Sequence, residues 1–355
     1  MKENKTVLVG MSGGIDSSVA AFLLQKEGYK VEGIYFQLHE DGDDGSVSQK
    51  KAEIAAKKID IPLKKLDCKK IFKDIIISDF IKKYENGLTP NPCVLCNEKI
   101  KFNLMLDYAV KNNITFIATG HYAQLTKKGD NVYFIRRGFD TKKDQSYFLY
   151  RLNNDVLSRT LFPLGGYLKE DVQVLAQNIG FNVSTLQESQ EICFINDNNY
   201  RKFIGNTENR LESKKNTPGY FVNISGDILG EHKGLANYTI GQRRKTGLSL
   251  NKRMYVVRIN YEENTVVIGD ERDLYKEKFI IANTHFTANY FICNSLRMNV
   301  QIRYNSKPAI ATISNIGKNQ FLVSFDQPQK AITPGQSAVI YDNDIVLGGG
   351  IIVKE

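Results

Sequence analysis

The chain has 355 residues, more than one ordinary domain of roughly 150 residues, and this length predicts two or three domains. Hydrophobic residues make up 42% and charged residues 25%, which is typical of globular proteins and excludes a disordered or fibrous chain. The net charge of +9 at pH 7 favours an acidic partner, above all a nucleic acid.

The first 120 residues alternate between strand and helix patterns. A short buried strand is predicted at 6–11, and further strands are predicted at 31–36, 63–67 and 115–119. Helices are predicted at 16–27, 49–58, 71–84 and 97–110. Strands separated by helices of this length predict βαβ units and a parallel sheet.

The pattern changes from about Lys214. Short β-rich runs are separated by Asn, Gly and Pro, at 255–259, 265–268, 309–313, 320–325 and 337–341. They predict an all-β C-terminal part, a small barrel. The polar stretch 206–218 is a predicted boundary. We expect domains at 1–205, 206–274 and 275–355.

Charge and cysteine content narrow the class of protein. Residues 1–200 carry 27 basic and 25 acidic side chains, and residues 201–355 carry 21 and 14, so catalysis and polyanion binding are expected on separate domains. Five cysteines are too few, and odd in number, for a secreted disulfide scaffold. The apolar run at 6–11 is too short for a signal peptide. We therefore expect a reduced, cytoplasmic protein.

A glycine-rich loop follows the first predicted strand and has the sequence SGGIDSS, residues 12–18. Two glycines allow a tight turn, and the hydroxyls and the helix N-terminus add donors and a dipole for an anion. Asp16 and Ser17 also suit a plain helix cap. No lysine follows Gly14, as a Walker A loop requires, and the third glycine of the dinucleotide fingerprint is missing. The loop resembles the PP-loop of ATP pyrophosphatases.

Several longer motifs extend this resemblance from Lys5 to Ile352. They are TPNPCVLCNEKIKF (89–102), TGHY (119–122), KDQSYFL (143–149), ESQEICFI (188–195), YTIGQR (238–243) and TPGQSA (333–338). Together they closely resemble the family of bacterial tRNA-specific 2-thiouridylases (MnmA). The resemblance implies an α/β parallel-sheet PP-loop domain of the adenine nucleotide alpha-hydrolase type. A small central tRNA-binding domain and a C-terminal β-barrel would follow it.

The resemblance also assigns site residues. ATP would be held by Gly10, Met11, Ser12, Gly13, Gly14, Ile15, Asp16 and Ser17, with Phe36 and Gly120 near the adenosine. The flipped target base would approach Asn91, Pro92 and Cys93. Other contacts to tRNA would come from His121, Lys143, Asp144, Gln145, Arg303, Tyr304 and Gln336.

Two cysteines carry the chemistry that the resemblance implies. Cys193 would hold the transferred sulfur as a persulfide, and Cys96 would close a disulfide with it. Cys96 lies at the start of a predicted helix, where the dipole would lower the pKa of its thiol. Cys193 lies in an apolar, strand-like stretch. A buried apolar filler is the ordinary alternative for Cys193, and Cys68 and Cys293 are expected to be structural.

The pair Cys93-x-x-Cys96 has other interpretations. Half of a zinc site is disfavoured because no second C-x-x-C or paired histidines occur, and a redox pair remains open. Many family members have aspartate in place of Cys93, a candidate general acid or base. Here that role would move to Asp144, His121 or water.

The sequence thus predicts a tRNA-uridine 2-sulfurtransferase. ATP would adenylate the 2-oxo group of the wobble uridine, and the persulfide would then give 2-thiouridine, AMP and pyrophosphate. Mg²⁺ is expected on the ATP phosphates, and a cysteine desulfurase or relay protein would supply sulfur. The alternatives are a PP-loop synthetase that transfers nitrogen and a non-catalytic RNA-binding protein.

Overall fold

The computed structural model describes residues 5–38, 45–129, 131–183, 192–195, 199–206, 217–248, 252–287 and 295–354. The chain divides into two compact units. The first comprises 1–76, 93–190 and 342–347, and the second comprises 77–92, 191–341 and 348–355. Each unit is described by itself.

The described regular elements are as follows. The α-helices are α1 Ile15–Lys26, α2 Gly45–Lys58, α3 Lys69–Phe72, α4 Ser78–Glu85, α5 Pro92–Cys96, α6 Asn103–Lys111, α7 Asn154–Leu157, α8 Lys169–Asn178 and α9 Tyr200–Asn206. The first unit's strands are β1 Thr6–Gly10, β2 Lys30–Gln37, β3 Leu63–Asp67, β4 Phe116–Ala118, β5 Ala123–Lys128, β6 Val132–Arg137 and β7 Thr160–Leu161. The remaining strands are β8 Gly219–Val222, β9 Ile228–His232, β10 Tyr255–Asn260, β11 Thr265–Gly269, β12 Tyr275–Phe286, β13 Leu296–Gln301, β14 Ala309–Gly317, β15 Gln320–Lys330, β16 Ser337–Asp342 and β17 Ile345–Ile352.

A five-stranded sheet forms the centre of the first unit, in the order β3-β2-β1-β4-β7. All four neighbouring pairs are parallel. Val7, Leu8 and Val9 of β1 are completely buried, as expected for a central strand covered on both faces. The predicted parallel-sheet α/β domain is confirmed.

The strand order places a ligand crevice in this sheet. The chain proceeds from β1 to β2 and β3 on one side, and then crosses to β4 on the other side. In open α/β sheets ligands bind outside the carboxyl ends of the strands at such a switch point. The loop after β1 and the residues after β4 therefore define the place to look for the site.

The second unit contains two β structures. One is a four-stranded sheet in the order β10-β11-β8-β9. The other is a closed six-stranded barrel, in which the order β12-β15-β14-β13-β16-β17 is completed by the pairing of β17 with β12. The predicted C-terminal barrel is confirmed, and the five predicted strand runs all lie within described strands.

Some predictions need correction. The helix predicted at 71–84 contains a π-helical stretch, Lys73–Ile77, and the helix predicted at 97–110 begins with another, Asn97–Phe102. Residues 207–216, most of the predicted boundary, lie outside the described residues, and the three domain limits remain a prediction. Among the described helices, none has the length and apolar character needed to cross a membrane.

Candidate active site

The phosphate loop connects β1 to α1. Gly13 has a left-handed φ of +79°, and a Cβ on it would lie 2.7 Å from the backbone nitrogen of Ala52. Glycine is required here for both reasons, because other residues avoid this φ and the neighbouring backbone leaves no space. Gly13 therefore lets the loop turn tightly against α2, whose backbone passes directly beside it.

Hydroxyl groups hold the loop in shape. The backbone N–H of Ser12 donates to Ser17 Oγ at 3.2 Å, and the hydroxyls of Ser17 and Ser18 both donate to the Gly14 carbonyl. Gly14 is the N-cap of α1, and its cap position has no side-chain hydrogen bond. The plain capping role considered for Asp16 and Ser17 is therefore not how this helix begins.

Gly120 brings the end of β4 against this loop. A Cβ on Gly120 would lie 2.7 Å from the Asp16 carbonyl carbon and 2.8 Å from the Ser17 backbone nitrogen. Phe36, partly exposed, lies one residue before the carboxyl end of β2. Because carboxyl ends of parallel strands share one edge of the sheet, the predicted ATP residues meet at that edge.

Asp16 has partners that the sequence did not indicate. Lys169 Nζ lies 2.7 Å from Asp16 Oδ1, and the Tyr122 hydroxyl donates to the same oxygen at 2.8 Å. The Lys169 side chain is only 9% exposed. The first turn of α1 therefore carries a carboxylate that is already paired within the first unit.

Cys96 is buried in the first unit. The helix begins at Pro92, so Cys96 lies one turn inside it. Burial, and then the neighbouring thiols of Cys93 and Cys68, raise the pKa of Cys96 to about 11, with Lys101 opposing them. Burial likewise raises the pKa of Cys93. The expectation of a lowered pKa at Cys96 is wrong, because the thiol is desolvated rather than exposed at a helix N-terminus.

This burial predicts slow alkylation of Cys96 in the free protein. Because the thiolate is the nucleophile, its reaction with iodoacetamide should accelerate about tenfold per pH unit between pH 7 and 9, still below a pKa of about 11. Peptide mass spectrometry after timed quenching measures this rate for each cysteine. A rate at Cys96 that is already independent of pH near 7 would contradict the raised pKa.

Cys193 lies in a different setting in the second unit. It is exposed in a turn, so the predicted strand is wrong and the buried-filler alternative is excluded. Its neighbours Phe194 and Ile195 are buried, and Phe194 packs on Phe80 and Phe203 with ring centroids 5.2 and 5.3 Å apart. The apolar residues thus anchor the turn and leave the thiol at the surface.

His121 packs beside two aromatic rings. Its ring centroid lies 5.8 Å from that of Phe102 and 6.4 Å from that of Phe162, and its Nδ1 is 2.8 Å from the Thr119 hydroxyl. Burial, followed by the positive charge of Lys101, lowers the pKa of His121 to about 3. The ring is therefore neutral at physiological pH, and could act on tRNA by stacking or neutral hydrogen bonding.

Asp144 organises the loop that also carries Lys143 and Gln145. Its carboxylate, in a residue 7% exposed, accepts bonds from Arg137, from the Gly138 backbone and from both the backbone and hydroxyl of Ser146. Four donors leave it no ready role as a general acid or base.

Gln145 and Lys143 differ in how they are held. The Tyr122 backbone N–H donates to Oε1 of Gln145, and the Gln145 backbone N–H donates to the Tyr122 carbonyl. Lys143 is partly exposed, with its N–H donated to the Asp140 carbonyl. Contact of this loop with tRNA stays a prediction.

Gln336 lies against the segment that leads to Asn91 and Pro92. Its amide donates to the carbonyls of Thr89 and Pro90 at 3.0 and 3.3 Å, and the Thr89 N–H donates to the Pro334 carbonyl. Pro92 is buried and Asn91 partly exposed. Gln336 therefore fixes the loop before Pro92, and its direct contact with tRNA stays a prediction.

Arg303 stabilises the barrel with its guanidinium. Its Nη2 donates to the carbonyls of Lys330 and Ala331 at 2.7 and 2.9 Å. The carbonyl of the adjacent Tyr304 accepts from the Gln301 amide, and both Arg303 and Tyr304 are partly exposed. Arg303 thus has a structural role in the barrel, in addition to the predicted contact with tRNA.

The substitution Arg303→Ala separates these two uses. Loss of two carbonyl partners should lower the free energy of unfolding by about 1–3 kcal/mol. A phosphate contact would in addition reduce the salt slope of tRNA binding by about 1. Arg297→Ala, an exposed arginine paired with Asp326, is the control. An unchanged salt slope in a destabilised but folded variant would leave Arg303 with the structural role alone.

Several residues that hold the site in place were not predicted from the sequence. Lys169 and Arg137 belong to none of the quoted motifs, and Tyr122 ends the TGHY motif without an assigned role. Arg151 forms a partly buried ion pair with Glu98 in the helical segment that follows Cys96. The one available signal was the helix start at Lys169, because a lysine in a first turn is unfavourable for the helix dipole. The ion pair of Lys169 with Asp16 accounts for a lysine at this position.

The parallel sheet, the glycine loop at its switch point and the β-barrel define a HUP-type nucleotide-binding protein with appended barrel domains. A family model described as tRNA methyl transferase HUP domain matches residues 5–197. Models described as tRNA methyl transferase PRC-barrel domain and aminomethyltransferase beta-barrel domain match residues 208–270 and 276–352.

Full-length relatives give the narrower assignment. The chain is 44% identical to tRNA-specific 2-thiouridylase MnmA 1 of Caldanaerobacter subterraneus subsp. tengcongensis, with 100% of both chains covered. It is 42% identical to tRNA-specific 2-thiouridylase MnmA of Clostridioides difficile over 99% of each. The chain belongs to the tRNA-specific 2-thiouridylase MnmA family. A solved 4-thiouridine synthetase–RNA complex with bound ATP is a distant structural match, at 15% identity and a TM-score of 0.36 over 50% of this chain and 41% of the other.

Proposed function

We propose that this chain is a tRNA 2-thiouridylase that activates the wobble uridine with ATP and delivers sulfur from Cys193. The observation that carries the proposal is the glycine loop at the switch point of the parallel sheet, in a chain whose relatives over the full length are named for this activity. The exposed thiol of Cys193 and the buried thiol of Cys96 supply the sulfur chemistry that a nitrogen-transferring synthetase would not need.

ATP fits the loop as a substrate. The backbone between Met11 and Gly14 and the N-terminus of α1 suit a polyphosphate anion, and Phe36 and Gly120 line the same edge of the sheet. Mg²⁺ would be held chiefly by the phosphates, since Mg²⁺ in such sites takes one or two carboxylates and several phosphate oxygens. Asp16 is the carboxylate within the loop. Mg²⁺, when bound, would neutralise charge on the leaving pyrophosphate.

The reaction then proceeds in balanced steps. The uridine 2-oxygen attacks the α-phosphorus of ATP, and pyrophosphate leaves. The terminal sulfur of the Cys193 persulfide attacks C2, and AMP leaves. The Cys96 thiolate attacks the Cys193 Sγ, which forms a Cys96–Cys193 disulfide and releases the 2-thio group. A dithiol reductant restores both thiols.

The two cysteines act at different steps of this reaction, and their different exposure suits those steps. An exposed Cys193 is accessible to a cysteine desulfurase or a sulfur-relay protein that loads the persulfide. A buried Cys96 with a raised pKa remains protonated and unreactive until the substrate complex changes its surroundings. A tRNA substrate, ATP and reduced thiols fit a cytoplasmic enzyme.

Mass analysis of tRNA nucleosides tests the proposal. Unmodified tRNA incubated with the protein, ATP, Mg²⁺, a cysteine desulfurase with its cysteine substrate and a thiol reductant should gain 2-thiouridine, and pyrophosphate should be released only when tRNA is present. In a parallel incubation that also contains ammonium, pyrophosphate release with a new amino-substituted nucleoside and no sulfur-containing one would instead indicate nitrogen transfer. Binding of tRNA without pyrophosphate release would indicate a non-catalytic protein.

A further inference from the structure

A lysine from a distant helix reaches the first turn of α1. Lys169 is the first residue of α8, and its ammonium lies 2.7 Å from Asp16 Oδ1. Tyr122 donates to the same oxygen, and its ring centre lies 5.7 Å from the lysine nitrogen. The two donors and the carboxylate form one compact group beside the phosphate loop.

Burial makes this lysine unusual. Lysine is almost never buried unless it is paired, and the Lys169 side chain is 9% exposed whereas that of Asp16 is 36% exposed. The start of α8 is itself fixed, because the Lys169 N–H donates to Asp140 Oδ2 at 3.0 Å. The helix therefore holds a buried cation in a set position next to a partly open carboxylate.

The charge of Asp16 would otherwise hinder an incoming anion. The loop 11–17 contains Asp16 and no basic residue, so an unpaired carboxylate there would repel a polyphosphate over a few ångströms. Both observed donors use Oδ1. Within the described part of the chain no donor reaches Oδ2, so that oxygen remains available to a cation on the phosphates.

We propose that Lys169 is the counter-ion of the phosphate loop, a positioning residue that cancels the charge of Asp16 and fixes its carboxylate so that the loop accepts a polyphosphate. Walker loops carry their lysine inside the loop. Here the cation comes instead from the start of another helix, 153 residues away in sequence. The role rests on the proposed binding of ATP by residues 10–17.

If Lys169 neutralises Asp16, the effect of replacing Lys169 on ATP affinity should depend on whether Mg²⁺ is present. In Lys169→Met the affinity for ATP in EDTA should fall about tenfold, since one unpaired charge then faces the full charge of the nucleotide. The affinity for ATP in Mg²⁺ should fall less, because the metal offsets part of that repulsion. Lys169→Arg should retain most of both affinities, since it keeps the charge.

A second substitution separates charge from packing. Asp16→Asn added to Lys169→Met removes the unpaired carboxylate, so affinity in EDTA should rise again relative to the single variant. Lys111→Met, an exposed lysine at the end of α6, is the control and should bind as the unaltered protein does. Calorimetric titration with ATP gives the affinities, and circular dichroism verifies folding of each variant.

The outcomes distinguish the counter-ion role of Lys169 from the proposed function on which it rests. A larger loss in EDTA than in Mg²⁺, together with recovery in the double variant, supports the counter-ion role. Equal losses in EDTA and Mg²⁺ without recovery, or no loss at all, overturn it and leave the proposed function standing. Failure of the unaltered protein to bind ATP in either condition overturns the proposed function and this role together.

Discussion

Cys193→Ser should abolish formation of 2-thiouridine, with turnover reduced at least about a thousandfold, while adenylation of tRNA continues. The physical reason is that a serine hydroxyl cannot carry sulfane sulfur, whereas activation of the uridine by ATP needs no thiol. Nucleoside mass analysis measures the product, and release of pyrophosphate reports the activation step. Cys193 is exposed in a turn, and serine has nearly the same size as cysteine, so the variant should fold.

Cys96→Ser should also stop turnover, but with a different trapped species. After loading by a desulfurase, Cys193 should retain its persulfide, because no second thiolate attacks its inner sulfur. In the unaltered protein without reductant, turnover should end after about one equivalent with Cys96 and Cys193 joined. Cys68→Ala, which removes another buried thiol of the first unit, is the matched control and should remain active. A fully active Cys193→Ser variant would contradict the assignment and favour Cys93 and Cys96 as the redox pair.

The phosphate loop and its sheet could be predicted because their signals are local. A buried strand, a glycine turn and a helix follow one another within residues 6–26, and each is encoded by neighbouring residues. The hydroxyl contacts of Ser12, Ser17 and Ser18 also span at most five positions. Patterns of this kind predict the folded structure well because neighbouring residues determine them and long-range tertiary contacts do not change them.

The closing strand of the barrel was missed for the opposite reason. β17 contains Gly348, Gly349 and Gly350, and glycine is unfavourable in the interior of a strand. A Cβ on Gly348 would lie 2.2 Å from the His285 carbonyl oxygen, and one on Gly350 would lie 2.7 Å from the side chain of Thr284. Gly348 and Gly350 are thus required by the close approach of β12, a partner about sixty residues earlier that no local pattern reveals.

In the candidate site, too, the features encoded by neighbouring residues could be predicted, whereas those that depend on long-range contacts could not. The ATP and cysteine motifs were visible in the sequence, but the reactivity of Cys96 was predicted with the wrong sign, since burial depends on elements far along the chain. The ion pair of Asp16 with Lys169 joins residues 153 positions apart. Similarly, the carboxylate of Asp144 looked available until the structure placed Arg137 and Ser146 on it.

Gly13→Ala should lower the affinity for ATP by at least about tenfold while the protein stays folded. Two effects act at this position. An alanine at φ +79° is strained by about 1–2 kcal/mol, and its Cβ would lie 2.7 Å from the Ala52 nitrogen and the Lys51 Cβ. Because the Ala52 contact is with backbone, the loop itself must move, and its N–H groups then leave the positions that suit a phosphate.

Gly28→Ala provides the matched control for this prediction. Gly28 also has a left-handed φ, +85°, but a Cβ on it would meet nothing within 4 Å. It should therefore lose a similar amount of stability from backbone strain and bind ATP normally. Thermal unfolding measures the strain in both variants, and calorimetric titration measures the affinity. If Gly13→Ala binds ATP as tightly as Gly28→Ala does, then the close approach of phosphate to this loop, and with it the nucleotide site at the switch point of the sheet, is refuted.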